Sequence, residues 1–268
     1  MSRKLIFLDV DGTLVDFTMH MPESAREALS IARKRGHLIS LCTGRTVTNV
    51  YPWLLEFGFD AIVASAGAYV SANDKVIYHS VLANDKVQDM VEVLKEHGAC
   101  FMLQGINGRY VDEENAKKMR ERCMRLGIDG ALNRMTLVEH PEQMPALESG
   151  MYFDADIPVD VMQKEVGNYI KITGASFGKD RQMSGEMTKM GVNKATGMQR
   201  LMDELKIGRE DTIAFGDGPN DVEMLQFAGT GVAMGNAIPA VKQYADMVTD
   251  KIDEDGLYHA FERLHLLG

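Results

Sequence analysis

Two aspartates near the start of the sequence, Asp9 and Asp11, have the residue type and the spacing to carry chemistry. They follow the apolar run Leu5–Leu8, and Gly12 and Thr13 come next, a pattern typical of a buried parallel strand that ends in a tight turn. The first carboxylate can attack a phosphorus atom. The second can protonate a leaving alcohol and then activate water, and the Thr13 hydroxyl can orient a carboxylate. A plain turn is the alternative, since Asp and Gly favour turns.

The same pattern recurs far downstream, where Asp217, Asn220 and Asp221 follow the apolar run 213–215. Asp217 offers an oxygen ligand to a hard cation such as Mg²⁺. We expect Asp221 to support the surroundings of that metal and the Asn220 amide to donate to a phosphate oxygen. A capped helix start is the alternative, although capping needs one such residue and this turn has three. Acids that close raise each other's pKa, which a divalent cation relieves.

Two further positions suit an anionic ligand. Thr43 and Gly44 offer a hydroxyl and backbone N–H groups to a phosphate, whereas we interpret Arg45 as a structural partner. Lys194 stands near a predicted helix start, where it opposes the helix dipole, so an anionic partner would rationalise it. A plain loop and a solvated lysine are the alternatives for these two positions.

The elements that must position these residues alternate between strand and helix at both ends of the chain. Such alternation predicts a parallel sheet with right-handed crossovers, and ligands bind beyond the carboxyl ends of its strands. The predicted helices are Glu23–Arg35, Val47–Phe57 and Asn193–Leu205, and the predicted strands after the first are His37–Leu41, Ala61–Ala64, 212–215 and 231–234.

The middle of the chain has a different character, because no strand there ends in acids as at Asp9. The predicted helices are Asn84–His97 and Glu113–Leu126, and the predicted strands are Cys100–Gln104, Met151–Asp154 and Tyr169–Thr173. We therefore expect an inserted second domain at 83–187 within a catalytic domain formed by 1–82 and 188–268. Arg109, Tyr110 and Tyr152 are candidate contacts for a leaving group, with a structural role as the alternative for each.

Composition limits the partners. The 268 residues carry a formal net charge of −10, which argues against nucleic acid and against an anionic membrane surface. No stretch approaches the roughly 18 apolar residues of a membrane span, and the apolar run before Asp9 is too short for a signal peptide. Three cysteines without metal-type spacing suit reduced thiols in a cytoplasm. We expect a cytoplasmic monomer or small homo-oligomer.

Taken in order, these elements resemble the motifs of the haloacid dehalogenase (HAD) superfamily. The stretch 9–14 resembles its first motif, 43–45 the second, Lys194 the third and 216–221 the fourth, while the tail from 231 resembles the Cof-type subfamily (IIB). The resemblance implies an α/β fold, with a Rossmann-like parallel-sheet core and an inserted α/β cap of the C2B type.

The resemblance also implies roles. Asp9 would be the nucleophile and Asp11 the acid/base, and Mg²⁺ would be bound by Asp9, the Asp11 main-chain carbonyl and Asp217. One departure is Ala66, which stands where the family often has asparagine, so any contact made by that asparagine is absent here or moved.

Three functions remain open at this stage. The first is a Mg²⁺-dependent phosphatase of small phosphorylated metabolites, with sugar phosphates and nucleotide-like cofactors as leading candidates. The second is a phosphomutase or phosphotransferase, in which an alcohol accepts the phosphoryl group instead of water. The third is a non-catalytic ligand-sensing protein on this fold, against which the intact Asp9 and Asp11 count.

Overall fold

The computed structural model describes residues 3–16, 18–73, 75–126, 135–174 and 182–268. The chain divides into two compact units. Residues 1–45, 50–79 and 192–268 form what we call the eight-stranded unit, and residues 46–49 and 80–191 form the six-stranded unit. Within the described residues, no helix is both long and apolar enough to span a membrane.

The described residues form fourteen strands and nine α-helices, numbered along the chain. The strands are β1 (Leu5–Leu8), β2 (Leu38–Cys42), β3 (Ala61–Ala64), β4 (Tyr69–Ala72), β5 (Lys75–His79), β6 (Cys100–Gly105), β7 (Gly108–Val111), β8 (Met135–Leu137), β9 (Leu147–Phe153), β10 (Ile170–Gly174), β11 (Gly185–Lys189), β12 (Thr212–Gly216), β13 (Thr230–Ala233) and β14 (Met247–Val248). The helices are α1 (Glu23–Lys34), α2 (Pro52–Phe57), α3 (Asn84–Glu96), α4 (Glu113–Leu126), α5 (Val159–Glu165), α6 (Lys194–Leu205), α7 (Val222–Phe227), α8 (Pro239–Lys242) and α9 (Gly256–Arg263).

The eight-stranded sheet has the order β14-β13-β12-β1-β2-β3-β4-β5. Its strands are parallel from β14 to β3, and β4 and β5 are antiparallel additions at one edge. Side chains alternate along β1, so Ile6 and Leu8 pack with α1 and α9 while Leu5 and Phe7 pack with α6 and α7. Both faces of the sheet are therefore covered, as a parallel sheet of apolar strands requires. The predicted α/β class with a parallel-sheet core is confirmed.

The six-stranded sheet has the order β10-β11-β9-β6-β7-β8 and is antiparallel except where β7 pairs with β8. One face packs on α3 and α5 through a cluster that includes Leu94, Leu103 and Met162. The other face meets α4 through a smaller cluster that includes Met102 and Met119. This unit thus has a hydrophobic core of its own.

The predicted helix Val47–Phe57 is wrong. The chain instead makes a 3₁₀ turn at Val47–Asn49 and begins α2 only at Pro52. Tyr51 has an extended backbone, with φ −60° and ψ 127°, because a residue that precedes proline is driven out of the helical region. The hairpin of β4 and β5 was not predicted either, since β5 is half-exposed and polar at both ends.

Candidate active site

Parallel pairing brings the two acidic strand ends together. β1 lies beside β12 with Leu8 opposite Phe215, and the Asp9 N–H donates to the Phe215 carbonyl at 3.0 Å. Asp9 and Asp217 therefore leave the sheet at the same edge, on neighbouring strands. This is the carboxyl edge, where ligands bind in open parallel sheets.

Lys194 is buried against two carboxylates. Its Nζ lies 2.5 Å from Asp9 Oδ1 and 2.6 Å from Asp221 Oδ1. The lysine is the first residue of α6, whose start is fixed by Asn193 and Thr196, each side chain accepting a hydrogen bond from the backbone N–H of the other. Burial opposes the charge of Lys194, but the two carboxylates outweigh it and raise its pKa well above the usual range. The anionic partners of Lys194 in the structure are thus two aspartates, and its predicted contact with a phosphate stays a prediction.

Asp221 acts on the loop that carries Asp217. Its Oδ2 accepts from the N–H groups of Asp217 and Gly218, both at 2.9 Å, while its other oxygen accepts from Lys194. This carboxylate is fully buried. It therefore links the fourth-motif turn to α6.

Asp217 is enclosed by three neighbours. Thr13 Oγ1 donates to its Oδ1 at 3.1 Å, and Asn236 Nδ2 lies 3.4 Å from its Oδ2. Gly12 has φ +88°, and a Cβ there would lie only 2.3 Å from Asp217 Oδ2, so glycine is required on both conformational and steric grounds. Asn236 also donates to the Gly12 carbonyl at 2.7 Å. No pattern in the sequence predicts this contact of Asn236.

Asp11 is held by Arg45 through two charge-assisted hydrogen bonds, Nε to Oδ2 at 2.6 Å and Nη2 to Oδ1 at 2.7 Å. Arg45 Nη2 also donates to the Tyr51 hydroxyl at 2.7 Å. The interpretation of Arg45 as a structural partner agrees with these contacts. Tyr51 was not predicted, because an isolated tyrosine outside the motifs carries no signal in the sequence.

Thr43, Gly44 and Asn220 lie at the same edge, on loops that follow β2 and β12. The Thr43 N–H donates to the Val63 carbonyl at 2.9 Å, and its hydroxyl accepts from the Arg45 N–H at 3.1 Å. The expectation that the Thr43 N–H is available to a phosphate is therefore wrong, because the pairing of neighbouring strands uses it. Asn220 is half-buried in the 3₁₀ turn that begins at Pro219.

The turn 65–67, which follows β3, ties two of these elements together. Its residues have φ values of +49°, +50° and +98°. Two of its N–H groups donate to the carbonyls of Thr43 and Arg45 at 3.0 and 2.8 Å. A Cβ on Gly67 would lie 2.1 Å from the Asn193 carbonyl oxygen, at the start of α6. The turn thus fixes the second-motif loop and packs against the helix that carries Lys194.

The charges of the site favour a further cation. The described groups are four carboxylates and two cations: Asp9, Asp11, Asp217, Asp221, Lys194 and Arg45. Fully ionised, they leave two negative charges. Burial and the neighbouring acids raise the pKa of Asp9 despite Lys194, and burial with Asp221 raises the pKa of Asp217 to about 7.

The donor set fits a hard divalent ion. One oxygen from each of Asp9, Asp217 and Asp221 lies within 4.8 Å of the others, and oxygen ligands suit Mg²⁺. Burial raises the pKa of the nearby Cys42 thiol, which keeps this soft ligand protonated. These residues could therefore hold a metal ion.

The candidate contacts of the six-stranded unit separate into two kinds. Tyr110 and Tyr152 are buried in its hydrophobic cluster, and burial raises the pKa of Tyr152 to about 12. Their location supports the structural alternative. Arg109 is half-buried. It lies one position before Tyr110 on β7 and therefore points to the opposite face of the sheet.

Comparison with known proteins agrees with this geometry. The sequence model of the haloacid dehalogenase-like hydrolases matches residues 6–261. YkrA of Bacillus subtilis is 31% identical over the full length of both chains. The 5-amino-6-(5-phospho-D-ribitylamino)uracil phosphatase YitU of the same species is 29% identical over 94% of each chain. The solved structure of the HAD subclass IIB sugar phosphatase BT4131 superposes with a TM-score of 0.82 at 29% identity, covering 98% of this chain and 99% of that one. A fold and a full-length sequence match of this extent make the chain a member of the haloacid dehalogenase-like hydrolases, and a phosphatase among them.

Proposed function

We propose that this chain is a Mg²⁺-dependent phosphatase of small phosphorylated metabolites that works through an aspartyl-phosphate on Asp9. The observation that carries the proposal is the buried Asp9 carboxylate, which Lys194 holds by one oxygen at the carboxyl edge of the sheet. Asp11 lies two residues further on. The ligand-sensing alternative finds no support in a chain with these groups and with phosphatase relatives.

The proposed reaction has two steps. In the first, an Asp9 oxygen forms a bond to phosphorus while the bond to the leaving oxygen breaks, and that oxygen takes the proton of Asp11 to leave as an alcohol. In the second, a water oxygen bonds to phosphorus and gives a proton to Asp11 as the bond to Asp9 breaks. Phosphate leaves, and both aspartates return to their starting states.

The other residues would support these steps. Lys194 keeps the non-attacking oxygen of Asp9 in place and offsets its charge, while Thr43, Gly44 and Asn220 would bind the phosphoryl oxygens. Mg²⁺, held by Asp9, the Asp11 main-chain carbonyl and Asp217 with Thr13 and Asp221 in support, would neutralise charge on the phosphoryl group.

We assign the choice of substrate to the inserted domain 83–187. One face of its sheet carries a row of polar residues that are direct neighbours on five strands: Lys171, Thr188, Ser149, Gln104 and Arg109. The three central members are less than 9% exposed, and within the described residues the Ser149 hydroxyl has no hydrogen-bond partner. A buried hydroxyl left without a partner costs about 1–3 kcal/mol, so the row suits a leaving group rich in hydroxyls.

Two relatives support a substrate of that kind. YitU is named for a phosphoribityl compound and BT4131 as a sugar phosphatase. We therefore put sugar phosphates and nucleotide-like cofactors first among the candidates.

The test is release of free phosphate from a broad panel of phosphorylated metabolites, with Mg²⁺ and after exhaustive chelation. We expect turnover only with the metal, and a phosphorylated protein after an acid quench that Asp9→Asn abolishes. Near-normal turnover by Asp9→Asn would refute covalent catalysis. Transfer to an added alcohol, with little free phosphate, would favour the phosphotransferase alternative.

A further inference from the structure

The side chain of Asp11, the proposed proton-transfer residue, is held by Arg45 of the second-motif stretch 43–45. Arg45 grips both of its carboxylate oxygens, at 2.6 and 2.7 Å. A fork of this kind fixes the plane and the rotation of a carboxyl group. Asp11 is about a quarter exposed, so packing alone does not fix its direction.

Arg45 is itself held by Tyr51. One Nη2 group has two hydrogens, and here it donates to both Asp11 and the Tyr51 hydroxyl, the latter at 2.7 Å. The guanidinium carbon lies 4.4 Å from the centre of the Tyr51 ring, within the range of a cation–π contact. Tyr51 therefore contacts the Arg45 guanidinium twice, through its hydroxyl at the edge of the group and through its ring on the face.

Tyr51 has a fixed position of its own. Its ring stacks on Trp53 with centroids 5.6 Å apart and planes 21° apart. Its backbone is extended because Pro52 follows. The Tyr51 hydroxyl is 3.5 Å from Asp11 Oδ1, too long for a strong bond, so its effect on Asp11 passes through Arg45.

We propose that Tyr51 is a positioning residue that, through Arg45, sets the direction of the Asp11 carboxyl toward the leaving-group oxygen. The inference rests on the proposed function, in which Asp11 donates that proton. Proton transfer needs donor and acceptor within hydrogen-bond reach, and small displacements of a reacting group are costly in rate.

The test compares Tyr51→Phe with the wild-type protein on two substrates of similar shape, phenyl phosphate and p-nitrophenyl phosphate. Phenol is the more basic leaving group and depends on the proton, whereas p-nitrophenol hardly does. Because kcat/KM reports the steps up to loss of the alcohol, we expect Tyr51→Phe to lower it about three- to tenfold for phenyl phosphate, the value of one hydrogen bond. For p-nitrophenyl phosphate we expect less than about a twofold change.

The matched control is Tyr78→Phe, because the Tyr78 ring also lies under an arginine, with Arg200 Cζ at 3.8 Å. It should leave both substrates unchanged. Arg45→Lys keeps the charge but loses the paired hydrogen bonds to Asp11. It should lower kcat/KM selectively for phenyl phosphate, as Tyr51→Phe does, and by a larger factor. Thermal melting checks that each variant is folded.

The outcomes separate the two proposals. Asp11→Asn should give the same selective loss, and if it does while Tyr51→Phe and Arg45→Lys affect both substrates equally or neither, the positioning role is overturned. If Asp11→Asn itself shows no selectivity between the substrates, the assignment of Asp11 as proton donor fails instead.

Discussion

At the scale of single residues, the proposed proton transfer by Asp11 can be tested with one substitution. Asp11→Asn keeps the shape of the side chain but removes the transferable proton, so we expect turnover to fall about 10²–10⁴-fold. Asp89→Asn, at an exposed acid paired with Lys86 on α3, is the control for a lost surface charge. Steady-state rates and their pH profile are the measurement, and a profile unchanged in Asp11→Asn would remove it from proton transfer.

Ala66 bears a conformational cost that its neighbour Ala68 does not. Ala66 has φ 50° and ψ 36°, whereas Ala68 is right-handed at φ −71° and ψ −24°, and both are buried. Replacement by glycine removes one methyl at each, but only at Ala66 does it relieve a left-handed residue, worth roughly 1–2 kcal/mol.

We therefore expect Ala66→Gly to exceed Ala68→Gly in free energy of unfolding by about 1–2 kcal/mol in urea denaturation. Equal midpoints would show that the left-handed turn costs alanine nothing. The same conformation would suit asparagine, which tolerates left-handed backbone.

The sequence was sufficient to predict those site residues whose backbone position is determined by the sheet. Asp9 and Asp217 could be paired in advance because each directly follows an apolar strand. Asn236 and Tyr51 could not, because they reach the site through side-chain contacts from loops. The resemblance of the tail from 231 to the Cof-type subfamily assigned no contact to Asn236, and Tyr51 lies outside the motifs. Only the folded structure shows that these two residues contact the site.

At the scale of elements, His37 joins the starts of β1 and β2. It is buried, and its Nδ1 accepts the Lys4 N–H at 3.0 Å, which requires the neutral ring. Burial, with the charges of Arg35 and Lys4, lowers its pKa. The unfolded chain takes up a proton near pH 6.5 and the folded one does not, so stability is full above that pH and falls as the pH drops toward the folded pKa.

We expect His37→Gln, which keeps an acceptor without the titration, to lose part of this acid sensitivity. The free energy of unfolding, measured from pH 8 to pH 5, should fall less steeply in the variant than in the wild-type protein. Parallel curves would mean that His37 titrates alike in both states.

The helices and strands themselves show why sequence reasoning succeeded or failed. β1, β2, β3 and β12 are short apolar runs with polar ends. In a chain that forms a parallel sheet, few structures other than a buried strand suit such a run. The break before α2 follows from one local rule about proline, which the apolar pattern of 47–57 concealed.

At the scale of the whole molecule, the excess negative charge links metal binding to pH. Burial and Asp221 raise the pKa of Asp217 to about 7, whereas its pKa in the unfolded chain is near 4. Between pH 4 and pH 7, Asp217 therefore holds a proton in the folded chain that it has lost in the unfolded chain. Without metal, stability attributable to Asp217 therefore declines as the pH rises through that window. Mg²⁺ competes with this proton for Asp217, so the stabilisation of the folded chain by Mg²⁺ should be greater above pH 7.

We accordingly expect Mg²⁺ to raise the Tm more at pH 8 than at pH 6, and chelation to reverse the gain. Asp217→Asn should lose most of the stabilisation by Mg²⁺ at both values. A metal-induced shift in Tm that Asp217→Asn leaves intact would place the ion elsewhere.

The second prediction at this scale concerns the division into two units. Exchanging residues 80–191 for the equivalent segment of a related phosphatase with a different substrate should transfer the substrate preference. The requirements for Mg²⁺ and Asp9 should stay, because every proposed catalytic group lies outside that segment. A folded chimera that keeps its original substrate ranking would assign specificity to the eight-stranded unit.

The pairing of β1 with β12 has a consequence for the chain as it is being made. Leu8 emerges from the ribosome long before its neighbour Phe215, and at roughly 5–20 residues per second the interval is on the order of 10–40 s. The described residues of the stretch 80–191 carry a hydrophobic core of their own, so this stretch can fold within that interval. Asp9, the proposed nucleophile, meets Lys194 and Asp217 only afterwards, so the proposed site is complete only once the sheet has closed.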